Sequence, residues 1–409
     1  MKCRYCQTEL SYVFADLGTA PPSNSFLSQS QLMSGEVYYP LKVFVCDQCF
    51  LVQLDEFKKS SEIFSEDYVY FSSVSSSWLA HSKAYVHKMR EKLPLTSDSF
   101  VIEIASNDGY LLQYVRESGI QCLGIEPTAS TAKVAREKGI DVLESFFGTA
   151  LAMELKNTGR QADLLLGNNV LAHVPDINDF VEGLKLALKP TGTVTMEFPH
   201  LLKLVADGQF DTIYHEHFSY LSFSVVNNIF ATHCLTIYDV EEIPTHGGSL
   251  RIFAKHADNG TIAVSAAVTR LLEQERNTGM LTPAYYENFQ AKVETIKTDF
   301  VEFLISQRRA RKKVAAYGAA AKGNTLLNYC GVKAGMIDFV CDRAESKQGK
   351  FLPGSRIPVM PEEALKEHKP GFIVIFPWNI CDEIEKQLEY IRDWGGQFVT
   401  AIPRLMIKL

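Results

Sequence analysis

The sequence predicts an α/β protein with three units: a small N-terminal zinc-binding module, a central doubly wound sheet, and a smaller Rossmann-like α/β domain at the C-terminal end. Three observations support this fold class. Two CxxC pairs lie in the N-terminal part, apolar strands alternate with helical segments through the middle of the chain, and the alternation begins again near residue 312. Such alternation is typical of a parallel sheet with helices on both faces. We expect domains at residues 1–80, 81–260 and 312–409, with a helical linker at 261–311.

The composition is that of an ordinary globular protein. The chain has 409 residues, 46% of them apolar and 22% charged, and its length favours two or three domains. A net charge of −7 with scattered basic residues offers no basic patch for nucleic acid. The N-terminus lacks the apolar core of a signal peptide, and no apolar run is long enough to cross a bilayer. We therefore expect a cytoplasmic protein with no nucleic-acid or membrane partner and with reduced or metal-bound cysteines.

The N-terminal module is predicted to hold a structural zinc ion. Cys3 and Cys6 form one CxxC pair, and Cys46 and Cys49 form a second. Four thiolates fill the tetrahedral shell of Zn²⁺ and leave no position for a reactive water. One alternative is that the two CxxC pairs are unrelated and simply reduced. The other is a redox-active dithiol, which would need only one CxxC pair.

The central domain is predicted from short apolar strands separated by helical segments. The predicted strands are residues 100–104, 122–125, 142–143, 164–166 and 193–198, followed by 235–240 and 249–255. A turn-rich connection joins the last two, which should pair antiparallel. A terminal antiparallel pair after five αβ units is typical of the methyltransferase variant of the doubly wound fold rather than of the dinucleotide-binding one.

Polar residues follow the first, second and fourth predicted strands, at the sheet edge where such folds bind ligands. Glu103 can hold the amino group of a methionine moiety, and Glu126 can accept two ribose hydroxyls. The GxGxxG pattern is absent, which disfavours NAD and favours S-adenosylmethionine. The alternative is that both glutamates are ordinary exposed loop acids. The candidate cofactor residues are Glu103, Ala105, Ser106, Asn107, Gly109, Glu126, Asn168 and Asn169.

The C-terminal domain is predicted to bind the phosphates of a nucleotide-bearing substrate. The small-residue turn at 318–323 lets a helix N-terminus approach an anion, and Lys322 adds charge. The basic loop at 346–356, which ends in Arg356, is placed to flank the same ligand. The alternative is close packing of helix on strand without a ligand.

Tyr214, His215, Glu216 and His217 form a run of four proton-handling side chains between apolar neighbours. Partners for so many titratable groups are hard to supply in a core, yet the neighbours favour burial. A half-buried cluster of this kind is typical of acid–base catalysis. The alternative is a structural histidine network. The two histidines are only two positions apart, so this is not the HExxH zinc-protease motif.

With these motifs in place, the chain resembles the nucleotide-sugar C-methyltransferases over essentially its whole length. The resemblance rests on the paired CxxC motifs and on EIASNDGYLL at 103–112, NNVLAHVPD at 168–176, YHEHFSYLS at 214–222, HGGSLR at 246–251 and YGAAAKGNTLLN at 317–328. Ala105 stands where the family commonly has a glycine. The resemblance implies transfer of a methyl group from S-adenosylmethionine to C3 of a dTDP-linked 4-keto-6-deoxyhexose, with no metal in the chemistry.

The resemblance also implies residue roles. His217 is the expected base, while Tyr214 and Glu216 should touch the sugar. A histidine base acts only when neutral, so the rate should fall with its protonation, and a rate that is flat from about pH 5.5 to 8 would argue against histidine. Tyr68 and His173 match family positions near the sugar. The candidate substrate-binding residues are Tyr70, His246, Lys322, Asn324 and Arg356.

Other functions stay open at this point. An O- or N-methyltransferase needs only a hydroxyl or amine nucleophile, so the cofactor residues fit it equally well. A non-catalytic zinc-bearing scaffold would not need the Tyr214–His217 cluster. An NAD-dependent sugar epimerase is disfavoured because the GxGxxG motif is missing. The protein is expected to be a monomer or a weak homo-oligomer.

Overall fold

The computed structural model describes residues 1–58 and 71–408, which form three sheets. Tyr68 and Tyr70 lie outside the described residues. The first sheet is antiparallel and consists of β1 (Tyr12–Ala20), β2 (Tyr39–Val45) and β3 (Val52–Leu54), with β9 (Ser219–Tyr220) paired to β3. Because β9 belongs to the YHEHFSYLS motif, that motif is fastened directly to the zinc-binding module.

The second sheet has seven strands in the order β10-β11-β8-β7-β4-β5-β6. The strands from β6 to β8 are parallel, and β11 runs antiparallel to both β8 and β10. The predicted doubly wound sheet with an antiparallel pair at one edge is therefore confirmed. The strands are β4 (Phe100–Ile104), β5 (Gln121–Ile125), β6 (Asp141–Leu143), β7 (Ala162–Asn168), β8 (Leu188–Pro199), β10 (Leu235–Ile243) and β11 (Ser249–His256).

Helices pack on both faces of this sheet. Asp176 and Ser222 accept hydrogen bonds from the backbone N–H groups of Asp179 and Val225, and each thereby caps the helix that follows it. Two of these helices, Thr149–Asn157 and Leu201–Asp207, were not predicted from the sequence. The helices are Ser76–Lys92, Leu112–Glu117, Ala129–Glu137, Thr149–Asn157, Ile177–Ala187, Leu201–Asp207 and Phe223–Thr232.

The third sheet is parallel except for its last strand and has the order β14-β13-β12-β15-β16-β17. Two helices, Ala266–Thr278 and Phe289–Arg309, precede it within the predicted linker. The strands are β12 (Val314–Tyr317), β13 (Val340–Cys341), β14 (Val359–Met360), β15 (Phe372–Ile375), β16 (Gln397–Thr400) and β17 (Met406–Lys408), and the helices are Ala321–Tyr329, Glu363–His368 and Cys381–Gln387.

A shared apolar core joins the first and third sheets through the helix Phe289–Arg309. Phe14 of β1 stacks on Phe289 with ring centroids 4.4 Å apart, and Phe303 of the same helix contacts Phe372 of β15 edge to face. All four rings belong to one buried cluster. The core thus holds the N-terminal and C-terminal units in fixed positions beside the motif at 214–222. No helix in the described part of the chain is long and apolar enough to cross a membrane.

Candidate active site

The four predicted zinc ligands come together in the N-terminal module. The Sγ atoms of Cys3, Cys6, Cys46 and Cys49 all lie within 4.8 Å of one another. Tetrahedral coordination with Zn–S bonds of about 2.3 Å requires sulfur–sulfur distances of about 3.8 Å, so the arrangement fits zinc. The Nε2 amide group of Gln53 donates to Cys3 Sγ at 3.2 Å, which stabilises a thiolate at that position.

The two CxxC turns have matching backbone geometry. Gln7 and Phe50, which follow the second cysteine of each turn, adopt the left-handed conformation with φ of 63° and 62°. Each donates its N–H group to the carbonyl oxygen of the first cysteine of its turn at 2.9 Å. The turns are therefore shaped by the backbone, independently of the residues between the cysteines.

A cavity of about 310 Å³ opens at the carboxyl edge of the central sheet, which is within the usual size of a small-molecule site. We call it the outer cavity. The loop after β4, the end of β5 and the segment after β7 contribute to its wall, as expected from their strand positions. The candidate residues that line it are Ala105, Asn107, Glu126, Asn168, Asn169, His173 and His246.

The loop after β4 reverses through several left-handed residues. Ala105, Asn107 and Gly109 have φ of 55°, 49° and 74°. An alanine is strained in this region, which explains why glycine suits the position of Ala105. At Gly109 a side chain is also excluded by space, because a Cβ atom would lie 2.3 Å from Ile140 Cδ1.

Glu126 holds this loop in place. Its Oε2 accepts the N–H group of Asn107 at 2.9 Å, and its Oε1 accepts the N–H group of Thr128 at the same distance. Burial raises the pKa of Glu126, while these backbone N–H groups oppose the shift. Glu126 is therefore a buried organising residue at the cavity wall rather than an exposed loop acid.

Glu103 is also buried, but it stands behind the wall instead of lining it. Burial raises the pKa of Glu103 well above the usual range, and the neighbouring Tyr110 hydroxyl opposes the shift. Ser106 Oγ is buried without a partner in the described part of the chain, and the side chain of Asn168 lies beside the Tyr110 hydroxyl at the cavity wall. Asn107, Glu126 and Asn168 do line the cavity, where the polar groups of S-adenosylmethionine would meet them, so this wall fits the cofactor.

Next to the outer cavity lies a smaller one, the inner cavity, which Tyr214, His217, His246 and Lys322 help to line. Asn169 and His246 line both cavities, so the two are neighbours. His173 of the outer cavity meets His217 edge to face, with ring centroids 4.6 Å apart. The structure thus brings the predicted base, Tyr214, His173, His246 and Lys322 together.

The hydrogen bonds of His217 define its tautomer. Nδ1 lies 2.8 Å from the carbonyl oxygen of Thr212, which can only accept, so Nδ1 carries the proton. Nε2 lies 2.8 Å from the hydroxyl oxygen of Tyr214. In the neutral ring Nε2 has a free electron pair and accepts the O–H group of Tyr214. The basic nitrogen of His217 therefore faces the Tyr214 hydroxyl, and both residues line the inner cavity.

The surroundings keep the site histidines neutral. Burial lowers the pKa of His217 well below its usual range, and His173 adds to the shift. Burial also lowers the pKa of His173 and of His246 to about 4 each. The expected acid loss of activity therefore moves below the ordinary histidine range, and a flat rate between about pH 5.5 and 8 no longer argues against a histidine base.

The other two members of the motif face the N-terminal module. Glu216 Oε1 accepts a hydrogen bond from Asn24 Nδ2 at 2.7 Å, and burial raises the pKa of Glu216 to about 7. His215 Nε2 donates to the carbonyl oxygen of Pro40 at 3.2 Å. Neither residue is among the described residues that line the inner cavity.

The predicted phosphate site of the C-terminal domain has a different arrangement. The N–H group of Ala319 donates to Asp342 Oδ2 at 2.7 Å, and that of Ala320 donates to the carbonyl oxygen of Gly318 at 2.7 Å. The turn at 318–323 therefore has a carboxylate where a phosphate was expected. Asn324 Nδ2 donates to the carbonyl oxygen of Ser23 at 2.6 Å.

Arg356 lies apart from the other candidates. Its Nε donates to Glu36 Oε2 at 2.9 Å, and its terminal nitrogens donate to the carbonyl oxygens of Leu32 and Ser34 at 2.8 and 3.0 Å. These bonds fasten the 346–356 loop to the N-terminal module.

Several residues of the site were not predicted. Trp78 lines the outer cavity and contacts the ring of His246 at 5.1 Å between centroids. Trp378 donates through Nε1 to Asp211 Oδ2 at 2.8 Å and packs against Gly247. Two of the chain's three tryptophans thus flank His246 and Gly247. The only sequence signal for them is their rarity, since each reaches the site from a distant segment.

Comparison with protein families covers most of the chain. Residues 3–64 match a zinc binding domain, residues 79–237 match a methyltransferase domain, and residues 244–403 match the C-methyltransferase C-terminal domain. The zinc-binding cysteines fall in the first region, most of the residues that line the outer cavity fall in the second, and strands β12 to β16 of the third sheet fall in the third.

Individual proteins are also similar to the chain. C-methyltransferase NovU from Streptomyces niveus is 33% identical over 403 residues, which is 98% of this chain and 95% of that protein. Among solved structures, an S-adenosylmethionine dependent methyltransferase from Mesorhizobium loti is 14% identical, with a TM-score of 0.35, and the match covers 44% of this chain and 100% of the other. The PH0226 protein from Pyrococcus horikoshii is 14% identical, with a TM-score of 0.37, and the match covers 49% and 99%.

The family resemblance seen in the sequence motifs is thereby confirmed. The protein is an enzyme that uses S-adenosylmethionine, and its N-terminal module binds zinc. The chain belongs to the C-methyltransferase family that includes NovU.

Proposed function

We propose that this enzyme transfers the methyl group of S-adenosylmethionine to C3 of a dTDP-linked 4-keto-6-deoxyhexose. The observation that carries the proposal is a neutral, oriented His217 in a cavity that adjoins the outer, cofactor-binding cavity. A carbon atom attacks a methyl sulfonium only as a carbanion equivalent, so a proton must first leave from beside a ketone. A fixed histidine base is what this reaction needs, whereas a hydroxyl or amine nucleophile has its own electron pair.

The residues divide the work between the two cavities. Glu126, Asn168 and the loop after β4 would hold the cofactor, with Glu103 buried behind that loop, and the cofactor supplies an electrophilic methyl group when bound. His217 takes the C3 proton at Nε2 after the sugar displaces the Tyr214 hydroxyl, or receives it through that hydroxyl. In both routes the proton ends on Nε2, and the Thr212 carbonyl oxygen stabilises the resulting imidazolium at Nδ1.

The nucleotide part of the substrate is proposed to lie toward the C-terminal unit. Lys322 reaches the inner cavity from this unit, and Thr325 Oγ1 donates to the carbonyl oxygen of Ile213 at 2.8 Å, just before the YHEH motif. The domain bounds at residues 80, 260 and 311 and a monomeric or weakly oligomeric state remain predictions.

The proposal is tested by mass spectrometry after incubation with S-adenosylmethionine and a panel of dTDP-4-keto-6-deoxyhexoses in heavy water. We expect a carbon-methylated product and deuterium at C3 of unreacted sugar. The variant His217→Ala should show neither signal while it still binds S-adenosylmethionine, and exposed His87 provides the control variant His87→Ala, with wild-type rates.

The other outcomes separate the alternatives. Deuterium exchange without methylation would mean that the base is right and the sugar wrong. Neither signal from the wild-type enzyme, with S-adenosylmethionine bound, would favour an O- or N-methyltransferase. Loss of S-adenosylmethionine binding in His217→Ala would give His217 a structural role.

A further inference from the structure

Lys322 enters the inner cavity from the first turn of the helix Ala321–Tyr329. Its Nζ donates to Asn379 Oδ1 at 2.8 Å and lies 4.5 Å from the centre of the Trp378 ring. Asn379 is the one hydrogen-bond partner of Nζ among the described residues, so the ammonium group has further N–H donors to offer.

Asp211 favours the charged form of this ammonium group. It is buried behind Trp378, which donates to its Oδ2. Burial lowers the pKa of Lys322, and the carboxylate of Asp211 opposes that shift. Burial raises the pKa of Asp211 to about 6, and Lys322 in turn opposes it. The Lys322 ammonium group thus lies over the Trp378 ring, and the Asp211 carboxylate accepts the N–H group at the edge of the same ring.

No other described residue on the wall of either cavity is a lysine or an arginine. The histidines there are neutral near pH 7, because the pKa values of His173 and His246 lie near 4. The base His217 becomes positive only after it has taken the proton. Among the described residues that line the two cavities, Lys322 is therefore the cationic side chain available to stabilise negative charge on the substrate oxygen.

We propose that Lys322 donates a hydrogen bond to the C4 oxygen of the sugar and stabilises the enolate that forms during proton removal. This inference rests on the proposed function and names a further catalytic residue for it. It replaces the phosphate-binding role predicted from the sequence, because the turn beside Lys322 already holds the carboxylate of Asp342. A preformed cation aimed at developing charge is among the strongest catalytic devices.

The electron balance of the step is simple. The C3–H bond breaks, its proton goes to Nε2 of His217, and its electron pair forms the C3–C4 double bond while the C4 carbonyl pair moves onto the oxygen beside Lys322. When C3 takes the methyl group, the C4 carbonyl re-forms, and the electrons of the broken carbon–sulfur bond stay on sulfur.

The test compares Lys322→Met with Lys322→Arg and with Lys366→Met, a lysine of the same unit that stacks on Tyr390 instead of entering the site. Three quantities are measured: the affinity for dTDP, the rate of deuterium exchange at C3 and the saturated rate of methyl transfer. For Lys322→Met we expect both rates to fall about 100- to 1,000-fold, with unchanged affinity for dTDP and S-adenosylmethionine. Lys322→Arg should retain part of the exchange, and Lys366→Met should match the wild type.

The opposite pattern would overturn the inference. A weakened affinity for dTDP with a normal saturated rate would mean that Lys322 binds phosphate. Equal exchange rates in Lys322→Met and the wild type would remove it from enolate formation and leave the proposed function standing. A wild-type enzyme without exchange would overturn both. If Lys322→Met does not bind S-adenosylmethionine, the comparison of Lys322→Arg with the wild type decides in the same way.

Discussion

Gly247 offers a quantitative test of how the C-terminal unit is coupled to the catalytic unit. It has φ of +89°, and a Cβ atom there would lie 2.4 Å from Cη2 and 2.8 Å from Cζ3 of Trp378. Left-handed backbone costs alanine about 1–2 kcal/mol, and forced overpacking costs about 1–3 kcal/mol more. Gly247→Ala should therefore cost about 2–5 kcal/mol of folding free energy.

A matched control separates the two contributions. Gly395 has a similar φ of +78° but no atom within 4 Å of the position of its Cβ atom, so Gly395→Ala should show the backbone cost alone. Both variants are compared by thermal unfolding and by their saturated rate of methyl transfer. Gly247→Ala should be less stable than Gly395→Ala and also slower, because a displaced Trp378 no longer supports Asp211 and Lys322.

The indole ring can then be removed to check the cause. In a Trp378→Leu background the steric conflict is relieved, so the additional cost of Gly247→Ala should shrink toward the cost of Gly395→Ala. Equal melting temperatures for the two glycine variants, or an unchanged cost in the Trp378→Leu background, would refute the steric explanation.

Two further predictions concern pH and metal. Burial lowers the pKa of His217, so the base stays neutral below the ordinary histidine pKa of about 6.5. The saturated rate, measured as a function of pH, should therefore fall only at lower pH. A fall in rate centred at or above about pH 6.5 would contradict a buried histidine base. Removal of zinc with a chelator should abolish methyl transfer. The CxxC turns hold the first sheet, and its strand β3 pairs with β9 of the catalytic motif. Full activity in protein that metal analysis shows to be zinc-free would contradict this coupling.

Much of the fold was predictable because its determinants are local in sequence. The CxxC turns depend on a few neighbouring residues, and the strands β4, β5, β7 and β8 stand out as apolar runs between helical segments. Strand alternation also predicts which loops meet at the carboxyl edge of the sheet. For that reason Asn107, Glu126 and Asn168 could be placed around one cavity before the structure was known.

Contacts between distant segments could not be predicted in the same way. The two-residue strand β9 is too short to carry a pattern, and it is defined only by its pairing with β3. Glu216 and Arg356 were predicted as substrate contacts, yet their polar atoms bind Asn24 and Glu36 of the N-terminal module. Residue type shows that a side chain needs a partner, but the tertiary structure selects which partner it has.

The chemistry of the site divides along the same line. The order of residues alone shows that tyrosine, histidine and glutamate side chains stand together at 214–217. It also shows that thiolates, strand-end carboxylates and a lysine are available for zinc, cofactor and substrate. The folded chain adds that Nε2 of His217 faces the Tyr214 hydroxyl while Nδ1 holds the proton, and that Lys322 lines the inner cavity beside them. The physical reason is that tautomer and pKa depend on burial and on hydrogen-bond partners, which come from segments far apart in the chain.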